Sequence, residues 1–168
     1  MMQSARRAVV IGGGPTGLSS AISLADSGVA VTLVERSDVL GGHAVQLACK
    51  ATDRCQVCGA CVAAPLVREV REHPLVDVIT QGRIVGDERV DGRHRLVVDA
   101  PDGSISFEAD ALIVSCGYST IDLSRDRQEF GYGFAPGVAT TLELESELRS
   151  RGPAGVKGRR FAFVQCVG

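Results

Sequence analysis

The sequence contains no tryptophan and few other aromatic residues, with only two Tyr and five Phe in 168 residues. Its 45% apolar and 23% charged residues are ordinary for a soluble globular protein, which argues against disorder and fibrous repeats. No apolar run approaches the roughly 18–20 residues that cross a bilayer, so we expect no membrane span. The formal net charge of −2 provides no basic surface for nucleic acid.

Glycine and cysteine, by contrast, are abundant, with 20 and 6 residues respectively. Many glycines with few aromatic residues fit an α/β protein with tight, phosphate-contacting turns. We expect a cytoplasmic protein, because in that reducing compartment clustered cysteines are more often metal ligands or redox groups than disulfides.

Hydrophobic patterning predicts a strand–turn–helix–strand unit followed by further strands, which together indicate an α/β fold. Buried, parallel-type strands are expected at Ala8–Ile11, Ala30–Val34, Val76–Thr80 and Ala111–Ser115. Three further strands, separated by turn sequences, are expected to form an antiparallel meander at Arg83–Val90, Arg95–Ala100 and Ser104–Glu108.

Helices are predicted over Thr16–Ser27, from about Pro65 to Glu72, and over Thr140–Ser150. A last strand is expected at Phe161–Val167, where the chain stops with nothing to close it. We therefore interpret residues 1–168 as one domain that is incomplete at its C-terminus.

The segment from Gly12 to Gly17 matches G-x-G-x-x-G between a predicted strand and a predicted helix, which is the context that a dinucleotide fingerprint requires. Gly12 permits the tight turn, Gly14 lets the backbone approach a pyrophosphate, and Gly17 lets helix and strand pack closely. Pro15 lies in the turn and Thr16 begins the predicted helix, whose N-terminal N–H groups face the phosphates.

Glu35 ends the second strand, where a carboxylate is placed to accept hydrogen bonds from a ribose. An acidic group there argues against a 2′-phosphate, although the neighbouring Arg36 weakens that point. A glycine-rich turn that binds nothing is the alternative interpretation, and the pattern leaves both FAD and NAD open.

Further motifs resemble the two-dinucleotide flavoprotein superfamily, which includes glutathione reductase and thioredoxin reductase. Glu35-Arg36 is followed by the doublet Gly41-Gly42, and the meander lies between the third and fourth parallel strands. The stretch 110–118 is similar to the second FAD signature, with Ser115-Cys116 in place of Ala-Thr. The resemblance implies FAD rather than NAD, with further cofactor contacts at Gly41, Gly42, His43, Cys116 and Gly117.

Four cysteines, Cys49, Cys55, Cys58 and Cys61, form the pattern C-x5-C-x2-C-x2-C. From Cys55 to Pro65 the sequence is similar to the ferredoxin run C-x2-C-x2-C-x3-C-P without its fourth cysteine. We expect one [4Fe–4S] cluster in an insertion at about residues 43–64, with Cys49 as the fourth ligand and Cys116 as its substitute. Structural zinc, and redox thiols without a metal, are the alternatives.

Over nearly its whole length the sequence resembles the heterodisulfide reductase A-subunit family, most specifically at the cysteine block 49–61 and the terminal Phe163–Gly168. The resemblance implies a Rossmann-like FAD-binding domain with a parallel sheet, an antiparallel three-stranded meander and a cysteine-rich insertion. It also implies that the family's sequence continues well beyond this chain.

By the same resemblance the protein is a cytoplasmic electron-transfer subunit that moves electrons between FAD and a [4Fe–4S] cluster. Its partners would be the other subunits of a heterodisulfide reductase-like complex, with NAD(P)H or ferredoxin as electron donor or acceptor. Two alternatives stay open: a pyridine-nucleotide-dependent FAD oxidoreductase with a four-cysteine structural zinc site, and a non-catalytic FAD-binding fragment.

Overall fold

A computed structural model describes residues 6–51, 53–56, 58–126 and 128–164. The strands are β1 Arg7–Ile11, β2 Ala30–Val34, β3 Val76–Ile79, β4 Arg83–Val90, β5 Arg93–Ala100, β6 Gly103–Ala109 and β7 Ala111–Val114. The helices are α1 Pro15–Asp26, α2 Ala63–Glu72, α3 Leu123–Asp126 and α4 Thr141–Arg151, with short 3-10 turns at Gly42–Gln46, Gly59–Cys61, Gln128–Phe130 and Pro153–Val156. In these described ranges no helix combines the length and the apolar character needed to cross a membrane.

The chain divides into two compact units, which we call the sheet unit (residues 1–45 and 61–117) and the cysteine unit (residues 46–60 and 118–168). The sequence predicted a single domain over 1–168 with an insertion at about 43–64. Most of that insertion lies in the cysteine unit, whereas Cys61 belongs to the sheet unit.

A four-stranded parallel sheet in the order β3-β2-β1-β7 forms the centre of the sheet unit, as predicted for an α/β fold. β1 lies between β2 and β7, and its side chains are covered by helices on one face and by the meander on the other, which accounts for the continuous apolar run Ala8–Val10. The carboxyl ends of β1, β2 and β7 meet at one edge, where Gly12, Glu35 and Ser115 follow them.

Two apolar layers pack on the opposite faces of this sheet, because successive side chains of a strand point to opposite sides. Val10 packs against α1 and α2, in a cluster that includes Leu18, Ile22 and Val70. Val9 faces the other way and packs with Val34, Leu96, Val98 and Ala109, the last three of which come from the meander. The sheet is thus enclosed by helices on one side and by the meander on the other.

The antiparallel meander β4-β5-β6 confirms the predicted three-stranded unit. Asp91 and Gly92 join β4 to β5 with φ of 52° and 81°, the left-handed conformations that a two-residue hairpin turn requires. The register of β4 against β5 shifts between Ile84 and Gly86, at a β-bulge that the sequence pattern did not indicate.

The structure differs from the predicted elements at several places. Helix α2 begins at Ala63 rather than at about Pro65, and α3 was not predicted. Residues 161–164 have no regular secondary structure, so the expected strand Phe161–Val167 is wrong in its first four residues. The rest of that strand, including Cys166, lies outside the described residues.

Within the cysteine unit, helix α4 begins with a capping box. The hydroxyl of Thr140 accepts a hydrogen bond of 3.2 Å from the backbone N–H of Glu143, whose carboxylate accepts one of 2.7 Å from the Thr140 N–H. These reciprocal bonds satisfy two backbone donors at the helix start. Thr140 is therefore the cap, and the helix begins at Thr141, one residue after the predicted start.

Candidate functional site

The glycine loop after β1 has two positions at which the structure requires glycine. Gly12 has φ of 104°, and a Cβ there would clash with the carbonyl of Ser115 at the end of β7. A Cβ on Gly17 would clash with the carbonyl oxygen of Gly12, because α1 crosses directly over the loop. Both predicted roles, the tight turn and close helix–strand packing, are therefore visible in the backbone.

Gly14 has a different environment, because a Cβ built on it would have no atom within 4 Å. The open space in front of it is bordered by the predicted doublet: a Cβ on Gly42 would lie 3.1 Å from the Cα of Gly14. The N–H of Gly41 donates a 2.7 Å hydrogen bond to the carbonyl of Gly13, which joins the doublet to the glycine loop. Two backbones thus approach each other with no side chain between them.

Helix α1 opens onto this space. Pro15 is its first residue, and the N-cap Gly14 provides no side-chain hydrogen bond to the helix. The first N–H groups of a helix and its dipole favour an anion. The glycine cradle and the uncapped helix N-terminus together fit the pyrophosphate of a dinucleotide such as FAD.

The carboxylate of Glu35 is nearly buried, with 7% of the residue exposed, and it holds the glycine loop. One oxygen accepts a 2.6 Å hydrogen bond from the N–H of Gly13, and the other accepts 2.8 Å bonds from the N–H and the hydroxyl of Ser37. Burial raises the pKa of Glu35, but the hydrogen bonds from Ser37 and Gly13 outweigh it and lower the pKa below its usual value. Because a carboxylate has about four acceptor positions, one remains for the predicted ribose contact.

A cavity of about 270 Å³ lies beside this carboxylate, within the sheet unit. It is lined by Ile11, Gly12, Val34, Glu35, Arg36, Gly82, Arg83, Ile84 and Cys116. Four of these residues, Gly12, Glu35, Arg36 and Cys116, were predicted as site residues from the sequence. Gly82, Arg83 and Ile84 were missed, since nothing in their residue types distinguishes the first residues of a meander strand from any other turn.

The remaining predicted cofactor contacts also lie in the sheet unit. His43 is half-buried in the 3-10 turn that follows the doublet, and its Nδ1 atom is buried. The thiol of Cys116 lies 3.9 Å from the carbonyl oxygen of Ile11, at the end of β7. Gly117 follows with φ of 67°, where the chain leaves the sheet.

The four predicted metal ligands are distributed over both units. Cys49, Cys55 and Cys58 belong to the cysteine unit and Cys61 to the sheet unit, and all four are exposed. Across the described part of the chain, no group of three or more His, Cys, Asp or Glu side chains is gathered closely enough to hold one metal ion. The structure therefore does not bring the predicted ligands together. A cubane cluster spaces its thiolates farther apart than a single ion does, because each thiolate binds a different iron.

Cys58 has surroundings that suit a thiolate. Backbone N–H groups of Ala60 and Lys50 donate to its sulfur and, with the positive charge of Lys50, lower the pKa of the thiol below its usual value. Backbone N–H donors around cysteine sulfur are a feature that tunes iron–sulfur sites. The donor set of this segment thus fits an iron–sulfur cluster in its chemistry.

Glu145 of α4 lies against the same segment and was not predicted from the sequence. Its carboxylate accepts a 2.7 Å hydrogen bond from the N–H of Ala48 and forms an ion pair with the ammonium group of Lys50. Burial raises the pKa of Glu145, but Lys50 and the Ala48 N–H outweigh it, so the net pKa is lowered. A glutamate on a polar helix has no sequence signal that would have indicated this contact.

Comparison with known families supports the resemblance seen in the sequence. The family model described as "FAD dependent oxidoreductase" matches residues 8–112, which include the glycine loop, Glu35, the cysteine block and the meander.

Curated relatives are named as heterodisulfide reductase subunits, which confirms the predicted resemblance. The chain is 26% identical to the A-subunit of the ferredoxin:CoB-CoM heterodisulfide reductase of Methanosarcina mazei, over 99% of this chain and 31% of that protein. It is 26% identical to the second iron-sulfur A-subunit of the CoB--CoM heterodisulfide reductase of Methanopyrus kandleri, over 96% of this chain and 37% of that protein. A protein of Archaeoglobus profundus named as similar to the heterodisulfide reductase A-subunit is 30% identical, over 97% of this chain and 22% of that protein. The chain thus spans well under half the length of each of these relatives.

Solved structures share the fold. The L-proline dehydrogenase from P. horikoshii superposes with a TM-score of 0.56 at 22% identity, covering 71% of this chain and 25% of that one. The thioredoxin reductase from Lactococcus lactis superposes with a TM-score of 0.56 at 22% identity, covering 76% of this chain and 41% of that one. At these identities the likeness establishes the α/β architecture alone.

Proposed function

The chain belongs to the FAD-dependent oxidoreductase family, and from that membership we propose that it is the FAD-binding part of a flavin and iron–sulfur electron-transfer subunit. FAD, when bound, supplies two-electron redox chemistry, and a [4Fe–4S] cluster supplies one-electron transfer to partners. The protein's own contribution is to hold both groups and to set their charge environment.

The open space beside Gly14, at the start of α1, is the observation that carries the FAD site. The N–H groups at the start of α1 would hold the pyrophosphate there, because the cradle has no side chain that would exclude it. Glu35 keeps the loop in place through Gly13 and retains an acceptor position for a ribose hydroxyl. The cavity beside Glu35, bordered by Arg36 and Ile84, would take the adenine.

For the cluster, we propose Cys55, Cys58 and Cys61 as ligands, with Cys49 as the fourth. The C-x2-C-x2-C spacing and the N–H donors around the Cys58 sulfur support it. The Methanopyrus relative is named as an iron-sulfur subunit, which is consistent with such a group. Since these thiols are not gathered in the described residues, the loop has to rearrange as iron binds.

The partners we propose are the other subunits of a heterodisulfide reductase-like complex. The relatives are named as subunits of such reductases, and exposed thiols in a loop suit electron exchange with a neighbouring protein. NAD(P)H or ferredoxin would be the external donor or acceptor. The compartment we propose is a reducing cytoplasm, because clustered cysteines there are kept from forming disulfides.

Anaerobic reconstitution of the 168-residue chain with FAD, iron and sulfide tests this function. Flavin, iron and zinc are quantified against protein, and the visible spectrum is recorded before and after dithionite. We expect one FAD and about four iron atoms per chain, with a broad charge-transfer absorbance that bleaches on reduction.

The outcomes separate the alternatives. Stoichiometric zinc with FAD and no iron would replace the cluster with a structural zinc site held by the same four cysteines. A protein that takes up FAD but no metal would be a flavin-binding fragment alone. A colourless protein that gains no flavin on incubation would overturn the FAD site itself.

A further inference from the structure

Glu145 is an unusual residue for its helix. The sequence of α4, TLELESELRSR, contains three leucines, yet Glu145 is the only buried residue in it, with 8% exposed. Burying a carboxylate costs free energy unless it is paired and hydrogen-bonded. The partners of Glu145 therefore indicate what the helix holds.

Those partners lie on both sides of one predicted ligand. Ala48, which donates its N–H to the Glu145 carboxylate at 2.7 Å, immediately precedes Cys49. Lys50, which forms the ion pair, immediately follows it. The ammonium of Lys50 also donates a 3.0 Å hydrogen bond to the carbonyl of Ala48. One carboxylate thus holds the backbone before Cys49 and the side chain of the residue after it.

The same arrangement extends to a second ligand through the main chain of Lys50. The side chain of Lys50 binds Glu145, while its backbone N–H donates to the sulfur of Cys58. Lys50 therefore contacts Glu145 and the Ala48 carbonyl through its side chain and the Cys58 sulfur through its backbone.

We propose that Glu145 is a positioning residue that, through Ala48 and Lys50, holds the peptide at Cys49 and a backbone donor of Cys58 while the rest of the cysteine segment rearranges around the cluster. The inference rests on the proposed iron–sulfur function. It assigns to α4, a helix outside the cysteine-rich segment, the role that carboxylates outside the ligand shell have in metal sites: they orient the ligands without touching the metal.

Cobalt(II) is a suitable probe, because its thiolate complexes have charge-transfer bands that report ligand number and geometry without iron, sulfide or turnover. Anaerobic cobalt titrations compare the wild-type chain with E145Q, K50M and K50R. The matched control is E147Q. Glu147 lies on the same helix, and its partners Arg151 and Arg159 are outside the cysteine-rich segment. FAD affinity and the far-ultraviolet circular dichroism spectrum are measured on each variant.

We expect E145Q and K50M to weaken cobalt binding by about 10- to 100-fold, as for other residues that orient metal ligands. K50R, which keeps the charge and can still pair with the carboxylate, should restore most of the affinity. E147Q should behave as wild type, and FAD affinity should not change in any variant. The midpoint potential of the reconstituted cluster should shift in E145Q and not in E147Q.

Equal cobalt affinity and equal potential in wild type, E145Q and K50M would overturn the positioning role while leaving the cluster in place. If E145Q loses helix content, the cobalt affinity of K50M tests the positioning role instead, because K50M leaves the Glu145 carboxylate bonded to Ala48. A wild-type chain that binds neither cobalt nor iron would instead overturn the proposed cluster, and the positioning role with it.

Discussion

Oε2 of Glu35 accepts a 2.6 Å hydrogen bond from the backbone N–H of Gly13, across 22 residues of sequence. The acidic residue that follows β2 therefore holds the glycine loop in shape before any nucleotide arrives. Pre-organisation of this kind lowers the ordering cost of binding. It gives Glu35 a structural role besides the ribose contact that its position in the sequence predicts.

The substitution E35Q should destabilise the sheet unit and weaken FAD binding together. A glutamine keeps one acceptor but turns an amide N–H₂ group toward the N–H of Gly13 or of Ser37, which leaves a buried donor unsatisfied. The expected cost is about 1–3 kcal/mol of unfolding free energy, measured by urea denaturation. The control is E88Q: Glu88 is an exposed residue of β4, and its substitution should change neither stability nor FAD affinity.

The stability difference between wild type and E35Q should depend on pH. Because the folded-state pKa of Glu35 is lowered, its carboxylate contributes fully above the unfolded pKa, about 4.3, and the contribution is lost as the pH falls through the lower folded value. The urea midpoints of the two proteins should therefore differ at neutral pH and converge in acid, below the unfolded pKa. A difference that stays constant over this range would contradict the assigned cause.

Two alanine substitutions in the same loop should differ in their effects on stability. G17A places a Cβ against the carbonyl of Gly12 and should lower the free energy of unfolding by about 1–3 kcal/mol or more. G14A meets no atom within 4 Å at φ of −73° and should change the stability by less than about 1 kcal/mol. Urea denaturation of the two variants beside wild type measures both values.

FAD titration then separates packing from cofactor contact. G14A should bind FAD much more weakly than wild type although it folds normally, because its methyl group occupies the space proposed for the pyrophosphate. A G14A protein with wild-type FAD affinity would show that the phosphates do not approach this glycine.

Loss of the α4 cap should weaken the helix that carries Glu145. T140A removes the hydroxyl that accepts from the Glu143 N–H and should cost about 1 kcal/mol, seen as faster amide exchange in the first turn of α4. T141A, at the next position and inside the helix, is the matched control and should not accelerate exchange. Equal exchange in both variants would argue that the capping box does not hold the helix start.

Most of the sheet unit could be predicted from local sequence patterns. Val9 and Val10 are both apolar because both faces of β1 are covered, and the Asp91-Gly92 pair marks the hairpin through its left-handed backbone. The predictions are wrong where the outcome depends on contacts distant in sequence. The apolar stretch at 161–164 has the composition of a strand, but a strand forms only where a neighbour pairs with it.

The site divides in the same way. The glycine roles at Gly12, Gly14 and Gly17 follow from spacing, since a dinucleotide turn needs glycine at those offsets. The lining of the cavity by Arg83 and Ile84 depends on where the meander packs against the sheet, which no local pattern encodes.

Local sequence is enough to establish the α/β class, the dinucleotide-type glycine loop and the cysteine spacing, because each depends on residues close together in the chain. Tertiary folding alone brings Glu35 to the glycine loop and Glu145 of α4 to the peptide around Cys49, contacts that join residues 22 and 97 positions apart. They form because folding excludes water from both carboxylates, and a carboxylate taken out of water must find donors wherever the fold supplies them.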